Sequence, residues 1–132
     1  MDDNLLVMGN YNQSFNEILD IDIKYDTIYR SKGLPAHMLK SNHAKCLKYI
    51  DYIPEIISNP DYVGINPNEE DQTIELVKRY RDNILLGIKV DKNKEYLYVS
   101  TMFDIPESKI QRRLHSGRLK EFSIDNIDKT KN

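Results

Sequence analysis

His37 and His43 stand six residues apart in GLPAHMLKSNHAKCLKYIDYIPEIISNP, and the third histidine, His115, falls within a basic cluster, KIQRRLHSGRLK. An imidazole exchanges a proton near neutral pH, and a guanidinium fork fits the oxygens of a phosphate. Two histidines, a strand hydroxyl and a set of cations are the parts needed to cleave a phosphodiester without a metal. Thr101 offers the hydroxyl. Arg118 directly follows Gly117, where a stopped helix could aim it back at an anion. Lys78 shares a strand face with Ile74 and Leu76, where an unpaired ammonium is costly, so it belongs at a wet strand end or facing a polar cleft. Arg112, Arg113 and Lys120 complete the set as phosphate- or RNA-binding candidates.

Each of these residues also has a plainer explanation. His43 is in register with Leu39, Leu47 and Ile50, which suits a half-buried histidine bonded to a carbonyl. His37 lies about 120° from it around an ideal helix, so the two flank one site only if the first turn, Gly33-Leu34-Pro35, is irregular. Thr101 is an ordinary strand former, with Ser100 expected on the opposite face. The late arginines fit a solvated helix face, and His115 is most simply exposed. No metal is expected: the histidine spacing is not the i, i+4 pair of a helical zinc site, and no carboxylate is evident as a third ligand. No cofactor is expected either, for there is no Gly-rich phosphate loop, dinucleotide fingerprint or Ser/Cys nucleophile signature.

The elements that must hold these residues are partly legible. Residues 5–9 read as a short strand, Phe15, Ile18 and Leu19 as a helical turn, and 25–30 as extended. A helix is expected from Pro35, with Leu39, Cys46, Leu47 and Ile50 on one face, a kink at Pro54 and a stop at Asn59-Pro60. A short strand at 62–66 and a turn at 67–72 follow. Residues 73–80, 83–90 and 95–103 form an antiparallel meander, the last aligning Leu97, Val99, Thr101 and Phe103 on one face. Pro106 opens a final helix that Gly117 ends. The expected fold is α+β: N-terminal helices packed on an antiparallel sheet of about four strands, with a short C-terminal helix. One domain over residues 1–123 and a polar tail over 124–132 are expected.

Composition narrows the classes. With 39% hydrophobic and 30% charged residues, the 132-residue chain is too apolar for general disorder. The single cysteine, Cys46, excludes an intramolecular disulfide, so a reducing compartment, the cytoplasm, is expected. No apolar run is long enough to span a bilayer, the N-terminal MDDNLLVM is no signal peptide, and no membrane partner is expected. A net charge of −2 counts against a generally basic nucleic-acid binder, although the cations gather late in the chain.

Taken together, IYRSKGLPAHMLKSNHAKCLKYIDYIPEIISNPDYVGINP, IELVKRYRDNILLGIKV and YLYVSTMFDIPESKIQRRLHSGRLK resemble the barnase/EndoU/colicin/RelE-like (BECR) nucleases in their phage and mobile-element branch. The resemblance covers roughly 27–120 and rests mainly on GL-x-x-H-x5-H, IISNPDYVG and the strand ending in Ser-Thr. It implies N-terminal helices on a four-stranded antiparallel sheet and metal-independent cleavage of RNA, tRNA among the candidates, at a histidine-centred site; acid–base chemistry at such a site is expected to leave a 2′,3′-cyclic phosphate. Carried over, it makes His37 and His43 the helix histidines, Thr101 the strand hydroxyl and Arg118 the late basic residue, with Lys78 a further match. The chain departs from a secreted toxin in its acidic balance and lack of an obvious delivery module. Two other readings stand beside the nuclease. One is a non-catalytic RNA- or protein-binding module of a phage or mobile element. The other is an antitoxin or immunity-type partner; for a nuclease, the cognate antitoxin or immunity protein would itself be the partner.

Overall fold

The computed structural model describes residues 4–41, 43–68 and 72–122. In chain order the elements are β1 (Leu5–Asn10), α1 (Ser14–Leu19), β2 (Thr27–Ser31), α2 (Leu34–Lys40), a 3-10 segment (Ala44–Tyr52), α3 (Ile53–Ser58), β3 (Tyr62–Ile65), β4 (Thr73–Arg79), β5 (Asn83–Asp91), β6 (Tyr96–Asp104), α4 (Glu107–Ser116) and β7 (Leu119–Glu121). No helix of the described residues is long and apolar enough to cross a membrane. Residues 124–132, where a polar tail is expected, lie outside the described part.

The expectation of about four antiparallel strands is wrong. One mixed sheet carries seven strands in the order β1-β2-β6-β5-β4-β3-β7. The meander β4-β5-β6 is its centre, as its alternation and turns predict. Asp91 accepts the amide N–H groups of Asn93 and Lys94 at 3.1 Å each, closing the β5–β6 turn. The sheet grows beyond the meander on both sides. β2 joins β6 in parallel, pairing Ile28 with Leu97 and Tyr29 with Tyr98, and brings β1 with it. On the other side β3 pairs β4, and β7 pairs β3.

Helices cover both faces of this sheet, not one. On the first face α1, α2, the 3-10 segment and α3 bury Phe15, Met38, Cys46, Ile53 and Ile56 against Ile74, Leu76, Ile84, Leu86 and Ile88. On the second face α4 lays Ile110 on Val77, Leu85, Ile105 and Leu119. The larger core belongs to the first face, and α4 leaves part of the second open.

The continuous helix expected from Pro35 also breaks. α2 stops at Lys40, and the His43 N–H donates to the Met38 carbonyl at 2.8 Å before the 3-10 segment begins. Ser-Asn-His is poor helix-forming sequence, its polar side chains competing for backbone groups. Register changes across the break, so Leu39 is 57% exposed and Met38 is buried in its place.

Asp82, in the β4–β5 turn, anchors the 3-10 segment. It accepts the Tyr49 hydroxyl at 2.8 Å and lies 3.1 Å from Lys48 and 3.4 Å from Lys45. The Tyr49 bond first, then that of Lys48, hold its carboxyl down at about 2, against an ordinary 3.8. A depressed carboxyl stabilises the fold above its unfolded value, and that contribution is lost as pH falls through about 2. Near-UV circular dichroism of the stacked Tyr49–Tyr80 pair should therefore fade on acidification. In Asp82→Asn that part of the pH dependence should disappear; an unchanged profile would show that Asp82 does not anchor the segment.

Candidate functional site

The open part of the second sheet face is a cleft of about 350 Å³. Its floor comes from the meander, and α4 and the start of β7 supply one wall. Side chains at 73, 75 and 77 of β4 face this side, since Ile74 and Leu76 point into the helix-covered core. Glu75 thus stands mid-strand in the cleft, its side chain only 5% exposed.

A carboxylate so deeply placed must be paired. Arg118 supplies a fork, with Nε 2.9 Å from Oε1 and Nη2 3.0 Å from Oε2. Arg113 adds longer bonds from Nη1 at 3.4 and 3.3 Å. Burial pulls the Arg113 guanidinium below its usual range; Glu75 opposes this, and the like charge of Arg118 adds to it. Lys89 lines the same cleft, and Glu75 is the one carboxylate lining it among the described residues. Arg118 spends two of its five donor hydrogens on Glu75, which leaves donors for a second anion.

Local backbone explains how Arg118 arrives. Gly117 ends α4 and the chain turns into β7 alongside β3. β7 can come so close only because position 64 is glycine: a Cβ there would lie 2.1 Å from the Arg118 carbonyl oxygen.

A second irregularity shapes the floor. Gly87 pairs with Thr101 while Ile88 pairs with Val99, so Ser100 is an extra residue in β6. Such a bulge shifts the alternation by one. Leu97, Val99 and Met102 enter the core, and Ser100, Thr101 and Phe103 all line the cleft. The expectation that Ser100 and Thr101 face opposite ways fails for this reason, as does the alignment of Leu97 and Val99 with Phe103. The Ser100 hydroxyl donates to the Gly87 carbonyl at 3.1 Å. The Thr73 hydroxyl, in a cleft residue 4% exposed, has no hydrogen-bond partner among the described residues.

The structure thus gathers Thr101, Arg113 and Arg118 in one cleft. His43 stands one ring away: its imidazole lies 5.7 Å from the Phe103 ring, beside the stretch of β6 that β2 leaves unpaired. Arg112 is exposed on α4 and lines an adjoining groove. The other candidates lie elsewhere. His37 is exposed in the last turn of α2 and lines no part of the cleft. Lys78 is on the opposite sheet face, 3.9 Å from Asp61. Lys120 donates to the Ile18 carbonyl at 3.2 Å. His115 is exposed on α4.

A family model described as phage-Barnase-EndoU-ColicinE5/D-RelE like nuclease3 matches residues 6–112, most of the chain. The chain belongs to this family. It is a nuclease-like phage domain of the BECR type, as the sequence resemblance implies. No curated protein and no solved structure matches it. The span matched to the BECR-like family contains His43, Glu75, Ser100 and Thr101 but stops at Arg112, so both arginines that hold Glu75 follow it.

Glu75 is the residue that sequence reasoning overlooked. Its signal was nonetheless present in TIELV: a carboxylate between apolar neighbours, in a strand too apolar to be half-solvated, requires a cationic partner from elsewhere in the chain.

Proposed function

We propose that this BECR-like domain is an endoribonuclease that cleaves RNA in the Glu75–Arg113–Arg118 cleft without a metal. The 2′-oxygen attacks the adjacent phosphorus, the bond to the 5′-oxygen breaks, and the products are a 2′,3′-cyclic phosphate and a free 5′-hydroxyl. Arg118 and Arg113 meet the charge that builds on the phosphoryl oxygens. Glu75 takes the 2′-hydroxyl proton as its guanidinium bonds pass to the phosphate. His43, in its protonated form, gives a proton to the leaving oxygen. Ser100 and Thr101 hold the ribose and phosphate by hydrogen bonds.

The observation that carries this reading is the cluster itself: a buried carboxylate forked by Arg118 and reached by Arg113, on a hydroxyl-lined floor, in a chain of a nuclease family. Wild type, Glu75→Gln and His43→Ala should be run on total RNA and tRNA in EDTA. Wild type is expected to cut, and each variant to lose about 10²–10⁴-fold, the usual worth of a proton-transfer group. A second reading is favoured by both Glu75 oxygens being engaged by guanidinium groups: a module that binds RNA and does not cut it. RNA bound but uncut at every pH from about 5 to 8, where histidine titrates, would establish that reading instead.

A further inference from the structure

A groove of about 680 Å³ runs on from the cleft, and Arg113 and Arg118 line both. Its far wall is the α4 surface bearing Lys109 and Arg112. Facing them are Ile65 and Pro67, on the approach to β4.

Lys109, Arg112 and Arg113 occupy positions i, i+3 and i+4 of α4, so three like charges share one helix face. Among the described residues, Arg113 alone of the three has a carboxylate partner, Glu75. The side chains of Lys109 and Arg112 are exposed and make no hydrogen bond or ion pair among the described residues. Glu107, on the same helix, is engaged by Arg79 and Gln111. The side chains of Lys32, Lys40 and Arg81 are likewise exposed and unpaired among the described residues; what distinguishes Lys109 and Arg112 is that they stand together along the groove. Like charges at this spacing repel, and an anion lying along the groove would offset that repulsion.

We infer that this groove is a second phosphate subsite, in which Lys109 and Arg112 hold the backbone of single-stranded RNA flanking the scissile linkage. The inference rests on the ribonuclease reading of the adjoining cleft. The phosphates run along the cationic wall of α4, and the ribose and base of the same nucleotide lie against Ile65 and Pro67. The strand is single. A-form duplex holds its 2′-hydroxyls along the shallow groove of a wide cylinder and cannot bring one to a carboxylate that is 5% exposed, whereas a lone strand bends into the cleft and out along the groove. Substrate length then matters: a dinucleotide fills the cleft alone, and a longer strand also engages α4.

The test uses 2′-O-methyl RNA, which lacks the attacking hydroxyl and stays intact. Binding of a dinucleotide and an octamer is followed by fluorescence anisotropy over a salt series, with the full chain and Lys109→Ala/Arg112→Ala. Both replaced side chains are exposed, and circular dichroism confirms that the variant is folded. The octamer should bind the variant on the order of tenfold more weakly, and its slope of log affinity against log salt should flatten by about 1.4, or ~0.7 per cation on a single strand. The dinucleotide should not distinguish the two proteins. Equal octamer affinity and slope in both would overturn the subsite, and an octamer duplex bound as tightly as the single strand would overturn its single-strand character. Cleavage of unmodified RNA in EDTA is scored separately. Length-dependent binding without cleavage retires the ribonuclease reading and leaves the groove standing; cleavage without length-dependent binding does the reverse.

Discussion

Arg118→Ala is expected to reduce RNA cleavage by about 10²–10³-fold, the typical loss when one preorganised donor to a developing oxyanion is removed. It should also destabilise the protein by roughly 3 kcal/mol, the lower end of what a broken buried ion pair costs, because Arg113 still meets Glu75. The two effects can be separated. Arg118→Lys keeps the charge but loses the fork that reaches both Glu75 oxygens, so it should recover part of the stability and little of the rate. Replacing all three partners, as Glu75→Gln/Arg113→Met/Arg118→Met, leaves no charge of this cluster uncompensated. That variant should be more stable than Arg118→Ala in urea yet remain inactive. Full activity in Arg118→Ala would remove this arginine from the site.

Gly64→Ala should act on the same arginine without touching its side chain. The added methyl would sit 2.1 Å from the Arg118 carbonyl oxygen, 3.1 Å from its carbonyl carbon and 2.9 Å from the Leu119 side chain. Two of these neighbours are backbone, so β7 must move away from β3, where it is held by the pairs Tyr62–Glu121, Val63–Lys120 and Gly64–Leu119. We expect a loss of about 1–3 kcal/mol, the usual range for overpacking. A displacement near 1 Å should lower kcat by up to about 10²-fold, since positioning errors of that size are costly. Gly87→Ala is the comparison: Gly87 pairs with Glu75 on one side and Thr101 on the other, and its nearest obstacle is the Thr101 methyl at 2.6 Å, a side-chain atom. It should disturb the hydroxyls and leave the Glu75–Arg118 bonds intact. If Gly64→Ala matched wild type in stability and rate, the close packing of β7 would not be what places Arg118.

Local pattern explains what was legible. The alternation of residues 74–90, the short hairpin turns and the Pro106 and Gly117 boundaries of the last helix are all set by neighbours in sequence, and each recurs in the structure. Sheet membership is not local. Residues 5–9, 25–30 and 62–66 each read as extended, but nothing in them says that β2 will run parallel to β6 or that β3 will take β7 as a second partner. β7 itself is three residues long, too short for any periodicity to appear. The bulge at Ser100 was hidden because one inserted residue inverts the alternation downstream, so Thr101 and Phe103 lie on the face opposite Leu97 and Val99. At the site, Arg118 was legible from its place after a helix-stopping glycine, and Thr101 as a strand hydroxyl. Glu75 is not legible from alternation alone, because a carboxylate within an alternating strand looks solvent-facing until both sheet faces are known to be covered.

The most direct test of the central claim, that the phosphodiester is cut in this cleft by the neighbouring 2′-oxygen, is an analysis of product ends from one chimeric strand. A DNA oligonucleotide containing a single ribonucleotide is incubated with the wild-type protein in EDTA, and the products are examined by mass spectrometry. The account predicts one cut, on the 3′ side of the ribose, leaving a 2′,3′-cyclic phosphate on one fragment and a 5′-hydroxyl on the other, and no such product with Glu75→Gln. Cuts at deoxyribose linkages, or products bearing 5′-phosphate, would contradict it.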